Sequence, residues 1–306
     1  MKAIAAILLF PFAAACATNP EAPTAAAGPV AAVAAPAFAS DRIGVTVRGS
    51  GPDVVLIPGL SSSPQVWDST IEALPGYRYH IVHVAGFAGR PAGANASGEV
   101  IEPVAEEIAR YIREARLERP AIVGHSLGGA WAMMIASRHS DLASKIMVVD
   151  MMPFMAALFG GPAATPETVR PFAEQMRTAI RSGTGDARKA ITEQTIATMV
   201  RTESLRPMAV KHSLASDAAV SAQAMYELML LDQRPALKAI TVPIQVLWVR
   251  SPGAPVTDEQ MAQFYSVSFA NAPQAKLTHV PGSYHFIMWD APQAFQRELK
   301  AFLAKS

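Results

Sequence analysis

Gly124-His125-Ser126-Leu127-Gly128 lies between an apolar run, Ala121-Ile122-Val123, and a segment from Gly129 to Ser137 that reads as a helix. Strand, tight turn and helix with a serine at the turn is the G-x-S-x-G nucleophile elbow. The glycines remove side chains that would collide in a turn sharp enough to push the Ser126 hydroxyl into a cleft. The helix that follows aims its free N–H groups at charge developing near that hydroxyl. Small residues also cluster by chance in an alanine-rich chain, and the plain alternative is a strand-to-helix turn with no chemistry.

A serine nucleophile needs a base. Lys276-Leu277-Thr278-His279-Val280 reads as a short strand that runs into Pro281-Gly282-Ser283-Tyr284-His285, with a helix from about residue 291 to 304. His285, on the loop after this last strand, is the candidate base. His279 sits within the strand pattern and reads as structural. The remaining histidines have bland readings: His80 and His83 on a strand, His125 in the elbow, His139 at a helix end and His212 in a polar helical region. None has metal-ligand spacing and the single cysteine forms no pair, which argues against a metal site.

From about Ser40 to Ser306 the chain resembles the α/β-hydrolase superfamily. Three stretches carry the resemblance: Val54-Val55-Leu56-Ile57-Pro58-Gly59-Leu60, the elbow with Gly129, and Gly282-Ser283-Tyr284-His285-Phe286. It implies a catalytic triad containing Ser126 and His285. It also implies an oxyanion hole from the N–H groups of Leu60 and of Leu127, the residue after the nucleophile. Pro58 stands where the family usually has histidine, but a backbone donor after Gly59 remains. The usual acid position follows Ile244-Gln245-Val246-Leu247-Trp248-Val249, and residues 250 to 257 contain no Asp or Glu. Asp258, next along, reads as a helix opener. Asp150 ends the apolar strand 146–149, where some family members carry their acid, at the sheet edge where ligands gather in open α/β sheets. Asp150 is the preferred acid. Asp258 and a missing acid are the alternatives.

The coarse pattern supports an α/β fold. Strands are expected at about 43–47, 53–57, 79–84, 121–123, 145–149, 244–249 and 275–280. Helices are expected at about 64–74, 100–116, 129–138, 257–270 and 291–304. This alternation implies a mostly parallel sheet with helices on both faces, formed by residues 41–150 and 241–306. Residues 151–240 interrupt it with helical stretches near 166–182, 186–202, 205–215 and 218–231, where the family inserts a helical cap. Met151, Met152, Phe154, Met155, Leu158 and Phe159 follow Asp150 directly. They line an acyl or aromatic pocket, or they pack the cap on the core. The loop Ala85 to Pro91 carries no phosphate-binding glycine motif.

The chain has 306 residues, 51% of them hydrophobic and 17% charged, enough for a sizeable core, and its net charge of +1 argues against a nucleic-acid partner. Residues 1–16 read as a signal peptide, since Ala3 to Ala15 is apolar but too short to span a bilayer. Ala13-Ala14-Ala15-Cys16 resembles a bacterial lipoprotein cleavage box with Cys16 as the lipidated residue. The rival is cleavage after Ala17, releasing a periplasmic or secreted protein. Residues 17–40, rich in Ala and Pro, read as a tether. The expected function is an exported serine hydrolase of the cell envelope, in the outer membrane if the host is Gram-negative. It would cleave a small carboxylic ester with an apolar part and need no cofactor. Lactone opening, carbon–carbon bond hydrolysis, cofactor-free haloperoxidation, peptidase action and non-catalytic binding are the alternatives.

Overall fold

The computed structural model describes residues 38–304 apart from Pro162, Pro252 and Pro255. The expected signal peptide, the candidate lipidation residue Cys16 and most of the expected tether lie outside the described residues.

Strands β1 (Ile43–Gly49), β2 (Asp53–Ile57), β3 (Arg78–Val84), β4 (Ala121–His125), β5 (Lys145–Val149), β6 (Ile244–Trp248) and β7 (Ala275–His279) form one sheet in the order β1-β3-β2-β4-β5-β6-β7. β1 runs antiparallel to β3, with Ile43 opposite Val84, and every other neighbouring pair is parallel. The mostly parallel sheet expected from the alternating pattern is therefore present, with one antiparallel strand at an edge.

The helices outside the insertion are α1 (Asp68–Ala73), α2 (Ile101–Glu114) and α3 (Leu127–Arg138) before it. The insertion carries α4 (Ala157–Gly160), α5 (Pro166–Ser182), α6 (Gly185–Met199), α7 (Arg206–Ala215) and α8 (Ala218–Leu230). After it come α9 (Asp258–Ser268), α10 (Ile287–Asp290) and α11 (Pro292–Ala304).

Side chains of the sheet alternate between two cores. Val55 and Ile57 pack with α2, α3 and α9, whereas Val54 and Leu56 pack with α1 and α11. A strand buried on both faces has no reason to alternate polar and apolar residues, so β2, β4 and β5 read as continuous apolar runs. α3 is buried along Leu127 to Ala136 and lacks a polar stripe for the same reason.

Two local differences from the sequence reading have physical causes. The helix expected at 64–74 begins as a tight 3₁₀ turn, Pro64–Trp67, capped by the Ser63 hydroxyl accepting from the Gln65 N–H. Phe38, within the expected tether, also packs against the core. The Phe38 ring meets Tyr111 edge-on at 5.0 Å, and the Arg110 guanidinium covers it at 4.4 Å.

The inserted helices are stitched to the sheet domain by polar contacts. The Glu227 carboxylate of α8 accepts the N–H groups of Val100 and Ile101, at 3.0 and 2.7 Å, at the start of α2. A carboxylate there satisfies free donors and complements the helix dipole.

Candidate active site

The elbow is sharp because its glycines let backbones touch. A Cβ on Gly124 would overlap the carbonyl of Gly128, and one on Gly128 would overlap the carbonyl of Ile57. Between them Ser126 is held at φ 53°, ψ −124°, a conformation that L-residues rarely adopt. Ser126 N–H donates to the Val149 carbonyl at 2.9 Å, tying the turn to β5.

Asp150, the residue after β5, also has a left-handed φ of 53°. Its N–H donates to the Leu247 carbonyl at 2.7 Å. The carboxylate oxygen Oδ2 lies 2.6 Å from His285 Nδ1. Oδ1 accepts from the Val249 N–H at 3.1 Å and from the Tyr265 hydroxyl at 3.2 Å. The side chains are 11% and 21% exposed for Asp150 and His285, so the pair is shielded but reachable. Burial, with the Asp150 charge added, pushes the Tyr265 hydroxyl far above its ordinary value, so it stays a donor.

His285 sits between β7 and α10. Its loop is pinned where Tyr284 N–H donates to Asp290 and Phe286 N–H donates to the Met199 carbonyl, at 3.1 and 3.2 Å. Asp258 lies elsewhere in the network: its exposed carboxylate pairs with Arg250, which lowers its pKa. His279 is stacked on the Trp248 ring at 4.2 Å, in keeping with a structural reading.

The N–H groups of Leu60 and Leu127 donate to no other group among the described residues. Leu127 opens α3 and Leu60 follows Gly59; Leu60 lines a cavity of about 540 Å³ together with Gly59, Ser126, Asp150 and His285. Much of the remaining wall comes from the insertion. Met155, Met176, Met199, Met225 and Leu228 are apolar contributors, and Thr192, Thr195 and Arg188 polar ones. Of the residues that follow Asp150, Met151, Met152, Met155 and Leu158 line the cavity. Phe154 instead packs the insertion, fully buried, with Arg234 over its ring at 4.7 Å. Phe159 does neither: it is 61% exposed and its ring meets that of Phe172 at 5.6 Å.

Sequence reasoning missed Tyr265 and treated His125 as bland. Tyr265 reaches Asp150 from α9 across 115 residues, and no local pattern signals such a partner. Among the described residues no cluster of three or more His, Cys, Asp or Glu is placed to hold a metal.

The chain is similar to the pimeloyl-[acyl-carrier protein] methyl ester esterase of Vibrio vulnificus (strain YJ016), with 34% identity over 130 residues, 42% of this chain and 48% of that protein. It thus spans about half the length of this relative. A protein of the same name from Aeromonas hydrophila is 25% identical over 260 residues, 78% of this chain and 96% of its own. Among solved structures, the esterase from Exiguobacterium antarcticum matches 86% of this chain and 96% of its own with a TM-score of 0.72 and 21% identity, a likeness of fold. Residues 54–298 match the Alpha/beta hydrolase family, and the chain belongs to that family.

Proposed function

We propose that this protein is a serine hydrolase that cleaves a carboxylic ester with an apolar acyl or alcohol part through an acyl-enzyme on Ser126. The observation that carries the reading is the 2.6 Å contact between Asp150 Oδ2 and His285 Nδ1 at the wall of a cavity that Ser126 also lines. Ser126 attacks the ester carbonyl. His285 takes its proton and returns it to the leaving alcohol. Asp150 holds the ring in one tautomer and offsets the imidazolium charge. The N–H groups of Leu60 and Leu127 receive the oxyanion, and one such donor typically contributes about 10²–10³ in rate. The named activity of the Vibrio and Aeromonas relatives, a methyl ester esterase on an acyl carrier protein, supports ester cleavage as the reaction.

The test is labelling with a fluorophosphonate probe and turnover of p-nitrophenyl esters. Wild type should label and turn over; Ser126→Ala should do neither while keeping its circular dichroism spectrum. Turnover above a few per cent in Ser126→Ala would remove Ser126 from the role.

The same reading places the enzyme in the cell envelope, on the sequence of residues 1–16 alone. With lipidated Cys16 as the anchor, Cys16→Ser should leave the membrane fraction or remain unprocessed. Unchanged fractionation of that variant would dismiss the anchor.

A further inference from the structure

We propose that His125 is a positioning residue for His285: it fixes the backbone of the base from the residue next to the nucleophile. The inference rests on the serine hydrolase reading and adds a member to that machinery.

His125 is the last residue of β4 and is 1% exposed. Its Nε2 lies 3.0 Å from the carbonyl oxygen of His285. A carbonyl can only accept, so Nε2 carries the proton and donates it. Nδ1 is then a bare lone pair, and it is buried with no hydrogen-bond partner. A buried polar atom left unpaired is costly. A histidine kept under that cost implies a return that a packing residue would not give.

The return is geometric. Ser126 and His285 belong to elements 159 positions apart, and the catalytic proton transfer needs their side chains in hydrogen-bond register. The Nε2–H bond runs from the residue before Ser126 to the main chain of His285. It braces base against nucleophile directly, without relying on the long loop after β7. The His125 ring also lies 4.6 Å from the His285 ring and 4.7 Å from the Phe286 ring, so one side chain limits movement of the base in two ways.

The electrostatics agree. Burial first, and the neighbouring His285 second, hold His125 well below the ordinary histidine value. The brace is therefore neutral and does not oppose the imidazolium that forms on His285 during turnover.

Two substitutions separate bracing from packing. His125→Phe keeps the aromatic volume and removes the donor. His125→Gln keeps an amide N–H near the place of Nε2. For His125→Phe, kcat should fall roughly 30–100-fold with KM within about threefold, because a misplacement of about 1 Å costs about 100-fold. The fluorophosphonate labelling rate should fall in parallel. His125→Gln should recover to within about fivefold of wild type. A Phe variant with wild-type kcat, or a Gln variant as slow as Phe, would overturn the proposal while wild type still labels. Wild type that fails to label would instead overturn the hydrolase reading beneath it. A measurement on wild type needs no variant to fold: ¹⁵N-histidine spectra at neutral pH should show His125 as the neutral Nε2–H tautomer. An Nδ1–H tautomer there would also overturn the brace.

Discussion

The carboxylate of Asp150 and the imidazole of His285 stand 2.6 Å apart, Oδ2 to Nδ1, across 135 positions of chain. The other oxygen, Oδ1, is committed to the Val249 N–H and the Tyr265 hydroxyl. Rotating the carboxylate would therefore break three bonds. With Nδ1–H directed at Asp150, the lone pair of His285 is on Nε2, the nitrogen left to take a proton.

Asp150→Asn should lower kcat by roughly 10³–10⁴ with KM little changed, because an amide favours the wrong tautomer and no longer offsets the imidazolium. Asp258→Asn should change kcat by less than about tenfold, since that carboxylate serves Arg250 at the start of α9. Steady-state kinetics on the two variants decide between them. A loss concentrated in Asp258→Asn would reassign the acid.

The sheet and its helices were legible because each carries its own period. Apolar runs of about five residues gave the parallel strands. The 3.6-residue stripe of Val104, Ile108 and Ile112 gave α2. Ser126 announced itself through two glycines at fixed spacing, and Asp150 through its place at the end of β5. What stayed hidden was pairwise and non-local. Tyr265 has no pattern that points to Asp150, and His125, inside the elbow motif, has no partner until the loop after β7 folds over it. The pairing that makes Asp258 a surface ion pair also depends on Arg250 folding back onto α9.

The methionine-lined wall predicts adjustable chain-length preference. Met225 projects from α8 into the cavity, and methionine fills irregular apolar space without fixing its shape. Met225→Trp should shrink the cavity. The kcat/KM for p-nitrophenyl decanoate should then fall by about tenfold or more, and that for the acetate by less than about threefold. Equal losses on both esters would place the acyl chain elsewhere.

At the opposite end of β2 from Gly59, Asp53 supplies a pH-dependent contribution to stability. Its Oδ2 accepts from Arg78 at 2.9 Å and its Oδ1 from the buried His80 at 2.8 Å, and His80 Nδ1 accepts from the Tyr111 hydroxyl at 2.6 Å. Arg78 is the main cause that holds the Asp53 carboxyl below its ordinary value, with His80 helping and burial opposing. A lowered folded-state pKa stabilises above the unfolded-state value of about 3.9, and that stability is lost as pH falls through the lower folded value. His80 is itself lowered by burial, so below about pH 6.5 its unfolded-state protonation works against folding, and more so without the carboxylate. Asp53→Asn should therefore melt roughly 2–8 °C below wild type at pH 7, with the gap greatest near pH 5. As pH falls below about 4 towards the lowered Asp53 value, the gap should narrow because the carboxylate's advantage in wild type is being lost. Calorimetric or dichroism melts of both proteins across this range check it, and a gap that persists undiminished at about pH 3 would show that the Asp53 contacts act through shape rather than charge.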